Sequence, residues 1–211
     1  MSVLKGIVET IAESMKRETD FSFLKQLEFS VVLHRATLLK RDLERNVVDN
    51  QLFQTICLEL EYGATDVCCS VVTGCKGLKT KNPLPKALRT KTPTPFAYVG
   101  TPKYTDIDFA HRENWKAINS KAFTCDNMYY DLINNYIYIK KAKNLKYLLV
   151  KAIWEDPREL AKCHTDATGA DCYEESDFPI SADLAQEIIN GIITQKLTIY
   201  NPEDNEVKLN N

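Results

Sequence analysis

Seven cysteines and three histidines hold most of the covalent and metal chemistry open to this chain. Cys68, Cys69 and Cys75, with Cys163, His164 and Cys172, would make a metal centre if folding joined the two groups. Their spacing matches no paired C-x-x-C knuckle, in which one tight turn offers two thiolates to an ion. Cys57 and Cys125 stand apart. The first residues place Lys5 and Glu9 in an amphipathic pattern and lack the apolar block of a secretion signal. The expectation is a protein made and kept in a cytosol, its thiols reduced and used as small apolar side chains. Asp106, Asp108, His111 and Glu113 have the ligand types of a cation site, but no second carboxylate cluster is near them in sequence, which predicts a polar strand edge. His34 lies among apolar residues with no partner four positions on, which predicts a packed, hydrogen-bonded ring. There is no nucleophile–base pair and no glycine-rich phosphate loop. No catalytic residue, cofactor or metal ligand is expected.

Charge offers a second kind of chemistry. The totals nearly balance, 27 basic residues against 29 acidic, which argues against a chain that coats nucleic acid. Yet no Asp or Glu occurs from Val67 to Thr105, where Lys76, Lys79, Lys81, Lys86, Arg89, Lys91 and Lys103 do. Pro83, Pro85, Pro93, Pro95 and Pro102 exclude a long helix there, so an extended loop is expected. Two roles fit it: lysines that keep a loop soluble, or a basic surface set against phosphates or an acidic partner. No aromatic ladder suggests base stacking, so any nucleic-acid contact would reach the backbone only.

The elements that must position these residues follow from periodicity. Leu4, Ile7, Val8, Ile11 and Met15 predict a helix over 2–17, and a second runs from a cap at Asp20 or Ser22 to about Arg45, packed antiparallel on the first. Leu52–Tyr62 alternates as a strand, with Val67–Val72 a short further one. Ala97–Val99 and Asp106–Phe123 give shorter pieces. Tyr129–Ile133 and Tyr136–Ile139 form a hairpin about Asn134-Asn135, since Asn accepts the positive φ of a two-residue turn. A reversal at Lys143-Asn144 leads to Leu145–Trp154, apolar on both faces and so expected to be the best-buried strand of a three-strand meander. Asp156-Pro157 starts a short helix to Cys163, followed by a polar loop over 164–177. Ser181 caps a last helix whose face is Leu184, Ala185, Ile188, Ile189, Ile192 and Ile193, ending near Tyr200.

The predicted class is α+β: an N-terminal helical hairpin (1–50), an antiparallel β-meander core (51–157) with a basic, proline-rich loop (67–105), C-terminal helices (158–200) and an extended polar arm (201–211). No stretch approaches the roughly 18 apolar residues of a membrane helix.

This order includes a strand closed by Ile153-Trp154-Glu155-Asp156-Pro157. A helix opened by Phe178-Pro179-Ile180 and Asp183-Leu184 follows it. Together they resemble the tail-side ring (head-to-tail adaptor) structural proteins of short-tailed bacteriophages, most closely those of crAss-like phages. The similarity spans most of the chain and is weakest over 1–50. The seven cysteines and the basic loop have no counterpart in the pattern. The resemblance implies no catalytic residues and a subunit of a ring, commonly twelvefold, beneath the portal and around the DNA exit channel. Its partners would be further copies of itself, the portal protein and neighbouring ring proteins, with genomic DNA passing without sequence-specific contact and no membrane. The place would be the virion tail or neck, after assembly in the bacterial cytoplasm.

Within that reading the expected contact residues are Lys76, Lys79, Lys81, Lys86, Arg89 and Lys91 of the loop and Asn201, Pro202, Glu203, Asp204 and Asn205 of the arm. Trp154, Pro157 and Phe178 are expected to serve the fold. A lumen that releases DNA should not be uniformly basic, because every neutralised phosphate adds salt-dependent affinity. The loop is therefore expected to face protein, or a limited constriction. Two other classes remain open: a regulatory protein holding nucleic acid with its basic 76–103 loop, and a metal-dependent enzyme built on the cysteines and histidines.

Overall fold

The computed structural model describes residues 3–45, 47–64, 76–89, 94–103, 105–111, 114, 127–140, 145–162 and 178–200. Helix α1 (Val3–Ser14) buries Leu4, Ile7, Val8, Ile11 and Ala12. It stops where Lys16 turns left-handed at φ 53°. The Lys16 and Arg17 N–H groups then donate back to the Glu13 and Ala12 carbonyls at 3.0 Å each, a Schellman ending. Asp20 caps α2 (Phe21–Glu44) by accepting from the Phe23 N–H at 3.0 Å. Along α2 the fully buried line is Leu27, Val31, Arg35 and Leu39, four-residue steps that keep one face inward.

The last helix, α3 (Ala182–Tyr200), begins with the Leu184 N–H donating to Ser181 Oγ at 3.3 Å. Leu184, Ile188 and Ile192 point into the helical core. Arg41 grips Glu187 with two hydrogen bonds of 2.7 and 3.1 Å, while Gly191 faces His34. Going down α2 therefore means going up α3, and the two helices are antiparallel.

The strands are β1 (Gln54–Ala64), β2 (Lys76–Thr80), β3 (Phe96–Gly100), β4 (Asp108–Phe109), β5 (Tyr129–Ile133), β6 (Tyr136–Lys140) and β7 (Tyr147–Ala152). They form one mixed sheet in the order β3-β7-β1-β2-β6-β5-β4. The edges nearly meet: Gly100 bridges Asp106, and the Ile107 N–H donates to the Val99 carbonyl at 2.9 Å just before β4. This nearly closed sheet wraps its own core of Ile56, Leu58, Ile137, Leu148, Val150 and Trp154, among others. The three helices share a second core with Leu52, Leu88, Ile153 and Phe178.

The hairpin register is Ile133↔Tyr136, Leu132↔Ile137, Asp131↔Tyr138 and Tyr130↔Ile139, as alternation predicts. Asn134 and Asn135 both take positive φ, 52° and 63°. The third strand of the meander is a correction. β7 pairs with β1 and β3, not with β6, because β1 and β2 lie between them. A two-residue turn fixes its own pairing locally, whereas an apolar strand joins whichever partner completes the buried face. β7 does take an interior place, with Leu148, Val150 and Ala152 inward and Tyr147, Leu149 and Lys151 half-buried.

The stretch from 76 is not one extended loop either. Lys76–Thr80 is an interior strand and Phe96–Gly100 an edge strand. Leu52 belongs to a 3-10 turn rather than to β1, and Tyr62, at the far end of β1's inner face, is 65 % exposed. Of the Asp106–Phe123 piece only β4 is a described strand. The proposed Val67–Val72 strand, the 164–177 loop and the 201–211 arm lie outside the described residues.

Candidate interaction surface

Arg35 joins the two cores. Wholly buried on α2, it donates from Nε to the Pro179 carbonyl at 2.9 Å and from Nη1 to the Trp154 carbonyl at 3.0 Å. Its guanidinium lies 5.1 Å from the centre of the Phe178 ring. Burial pushes its pKa down to about 10, against the opposing pull of Asp156. Trp154 in turn donates its indole N–H to the Gln54 carbonyl at 3.4 Å. Beside this joint, Arg158 binds both Asp156 carboxylate oxygens and reaches Glu28 of α2 at 2.7 Å. Burial raises the Asp156 carboxyl, but hydrogen bonds from the Arg158 side chain and N–H outweigh it and hold the group below the ordinary carboxylate range. Sequence reasoning singled out Trp154, Pro157 and Phe178 but missed Arg35. The signal was there: a cation midway between Val31 and Leu39 on an apolar line.

Four of the six expected contact cations divide into two sets. Lys79 pairs with Glu61 at 3.3 Å and sits over the Tyr136 ring, and Lys81 pairs with Glu59 at 2.7 Å. These two are held across the β1–β2 ladder by carboxylates of their own chain. The Lys76 backbone opens β2 opposite Ala64. Lys86 and Arg89 differ: both are exposed, and neither pairs with a carboxylate among the described residues. Lys91 and the arm residues Asn201, Pro202, Glu203, Asp204 and Asn205 lie outside the described residues.

Residues 84–89 are pinned in place. The Leu84 N–H donates to the Asn135 carbonyl at 2.7 Å, Leu88 N–H to Ile153 at 2.8 Å, and Glu155 N–H to Lys86 at 2.8 Å. Leu84 and Ala87 plug the sheet core and Leu88 the helical core, which leaves Lys86 and Arg89 facing out. Between this edge, Pro95-Phe96 and the β5–β6 turn lies a groove of about 390 Å³ that Lys40 of α2 also lines. Three cations and one carboxylate, Glu155, border it. Its floor is apolar, with Leu84, Phe96 and Leu132. Such a site suits an extended segment carrying carboxylates, held by charge at the rim and by contact below.

Elsewhere α2 turns an apolar stripe outward, with Phe21, Phe29 and Leu33 each more than half exposed. His34 is half-buried, its Nδ1 2.9 Å from the Ser30 carbonyl of its own helix. Of the Asp106, Asp108, His111 and Glu113 group, Asp106 and Asp108 are exposed, His111 lies 3.9 Å from buried Asp131, and Glu113 lies outside the described residues. Among the described residues no three of His, Cys, Asp and Glu meet as a metal site. Cys57 is the one cysteine they include, so the proposed Cys/His centre lies outside them. None of their helices is long and apolar enough to cross a membrane.

Residues 6–211 match the model of a family described as phage tail ring protein 2. No curated protein matches the chain.

Proposed function

The chain belongs to the tail ring protein 2 family of crAss-like phages, and from that membership we propose that it is one subunit of a closed ring joining the portal to the distal tail around the DNA exit channel. As a phage tail ring protein it is a structural component of the virion tail. The family match over 6–211 carries this reading.

The finer parts rest on the surface described above. A ring needs two different patches per subunit, each complementary to the other, and a rigid edge supplies the geometry. Residues 84–89, hydrogen-bonded on both sides, are such an edge. Copies of the chain, commonly twelve, would assemble in the bacterial cytoplasm and stack on the portal and on neighbouring rings, with DNA passing through the lumen without base contacts. The pairing of Lys79 and Lys81 with Glu61 and Glu59 supports protein contact over nucleic-acid capture, since it removes two of the expected cations from any phosphate track.

Light scattering of the purified chain, with and without portal protein, tests the proposal. Growth from monomer to a ring-sized particle in the presence of portal is expected. A monomer under both conditions, together with salt-dependent binding to DNA, would replace it with the nucleic-acid-binding reading.

A further inference from the structure

We infer that the groove bordered by Lys40, Lys86 and Arg89 receives the acidic segment after Tyr200 of a neighbouring copy of this chain. The inference rests on the ring reading and specifies its contact. Three observations lead to it. First, the groove's cations have no carboxylate partner among the described residues, although Lys79 and Lys81 close by have one each. Secondly, the eleven residues 201–211 bring Glu203, Asp204 and Glu206 within four positions, a charge pattern complementary to that rim. Thirdly, donor and acceptor stand at opposite ends of the helical layer. Lys40 is beside Arg41, which binds Glu187, and α3 then runs on to Tyr200, about 20 Å further along the axis. An extended segment of this length reaches roughly 35–40 Å. It would have to double back along its own helix to find its own groove. A subunit whose donor and acceptor lie at opposite ends joins the next one head to tail, the contact type that closes rings.

Zero-length carbodiimide cross-linking tests this, because it joins only carboxylates and amines already in contact. Full-length chains labelled with 14N and 15N are mixed, brought together with portal protein under conditions in which sedimentation shows rings, and cross-linked before mass spectrometry. The expected products join Glu203, Asp204 or Glu206 to Lys86 or Lys40, with mixed isotopes in about half of the pairs. The double substitution Lys86→Glu, Arg89→Glu should lower the remaining Lys40 cross-link about tenfold, and reversing Glu203, Asp204 and Glu206 to Lys on the same chain should restore ring formation. Same-isotope products alone would overturn the inference in favour of docking on the chain's own groove. Rings without these products would overturn it and leave the ring reading standing. A chain that stays monomeric and yields no product would overturn both.

Discussion

Single residues carry the joints of this molecule. Arg35 is placed as a cross-brace rather than as a charge for solvent: it supplies two carbonyls of the segments that enter and leave the helical layer. Arg35→Met keeps most of the volume but strands both acceptors, and should lower unfolding free energy by about 1–3 kcal/mol in urea titration, with the relief of a buried cation offsetting part of the loss. Lys16 occupies the left-handed position that ends α1. Lys16→Gly should therefore raise stability by about 0.5–1 kcal/mol, read as a higher urea midpoint with an unchanged slope. Acid dependence follows from Asp156 and Glu187. Arg158 outweighs burial at the first, and the Arg41 hydrogen bond dominates at the second, so both carboxyls sit below their ordinary values. A group depressed on folding contributes stability that is complete above its unfolded pKa, near 4, and is lost as pH falls through the folded value. Stability should thus decline below about pH 4, and Glu187→Gln should flatten that decline.

At the scale of elements, local chemistry was readable and partner choice was not. The caps at Asp20 and Ser181, the Asn134-Asn135 turn and the helix faces all depend on neighbours a few residues away, and each is where periodicity places it. Replacing Asn135 by Gly, which takes positive φ without a Cβ, should stabilise the β5–β6 hairpin by up to about 1 kcal/mol, whereas Asn135→Val should destabilise it by about 1–2 kcal/mol. Sheet order is a different matter. β7 sits between β1 and β3 because its inward residues complete the face begun by Ile56 and Leu58, a long-range choice that no turn signal encodes. The segment from 76 to 89 misled for a related reason. Proline and lysine gave it the composition of a loop, yet Leu78, Leu84, Ala87 and Leu88 are anchors that hold it against both cores. At Gly100 the limit is steric. A Cβ there would collide with the Tyr98 ring and come within 2.7 Å of the Thr105 carbonyl, so Gly100→Ala should loosen the β3 edge at a cost of about 1–3 kcal/mol.

For the whole molecule, the proposed function rests on where charge is placed. Arg35 and Trp154 brace the two cores against each other, and the cations with no carboxylate partner among the described residues stand at the hydrogen-bonded 84–89 edge. The candidate surface was half legible: its lysines stand out in the sequence, but the division between cations paired with β1 and those with no carboxylate partner among the described residues depends on β2 lying beside β1. Ring assembly through the groove should weaken with salt, because exposed charges are screened over roughly 10 Å at 0.1 M. Lys86→Glu with Arg89→Glu should block it while leaving the urea midpoint within experimental error, since neither side chain is buried or paired with a carboxylate among the described residues. The most direct test is electron cryomicroscopy of intact phage particles at a resolution that traces this chain. The account predicts a closed ring of copies around the DNA channel in the tail, each groove filled by chain from its neighbour. Particles in which no density at the neck or tail fits the fold would contradict it.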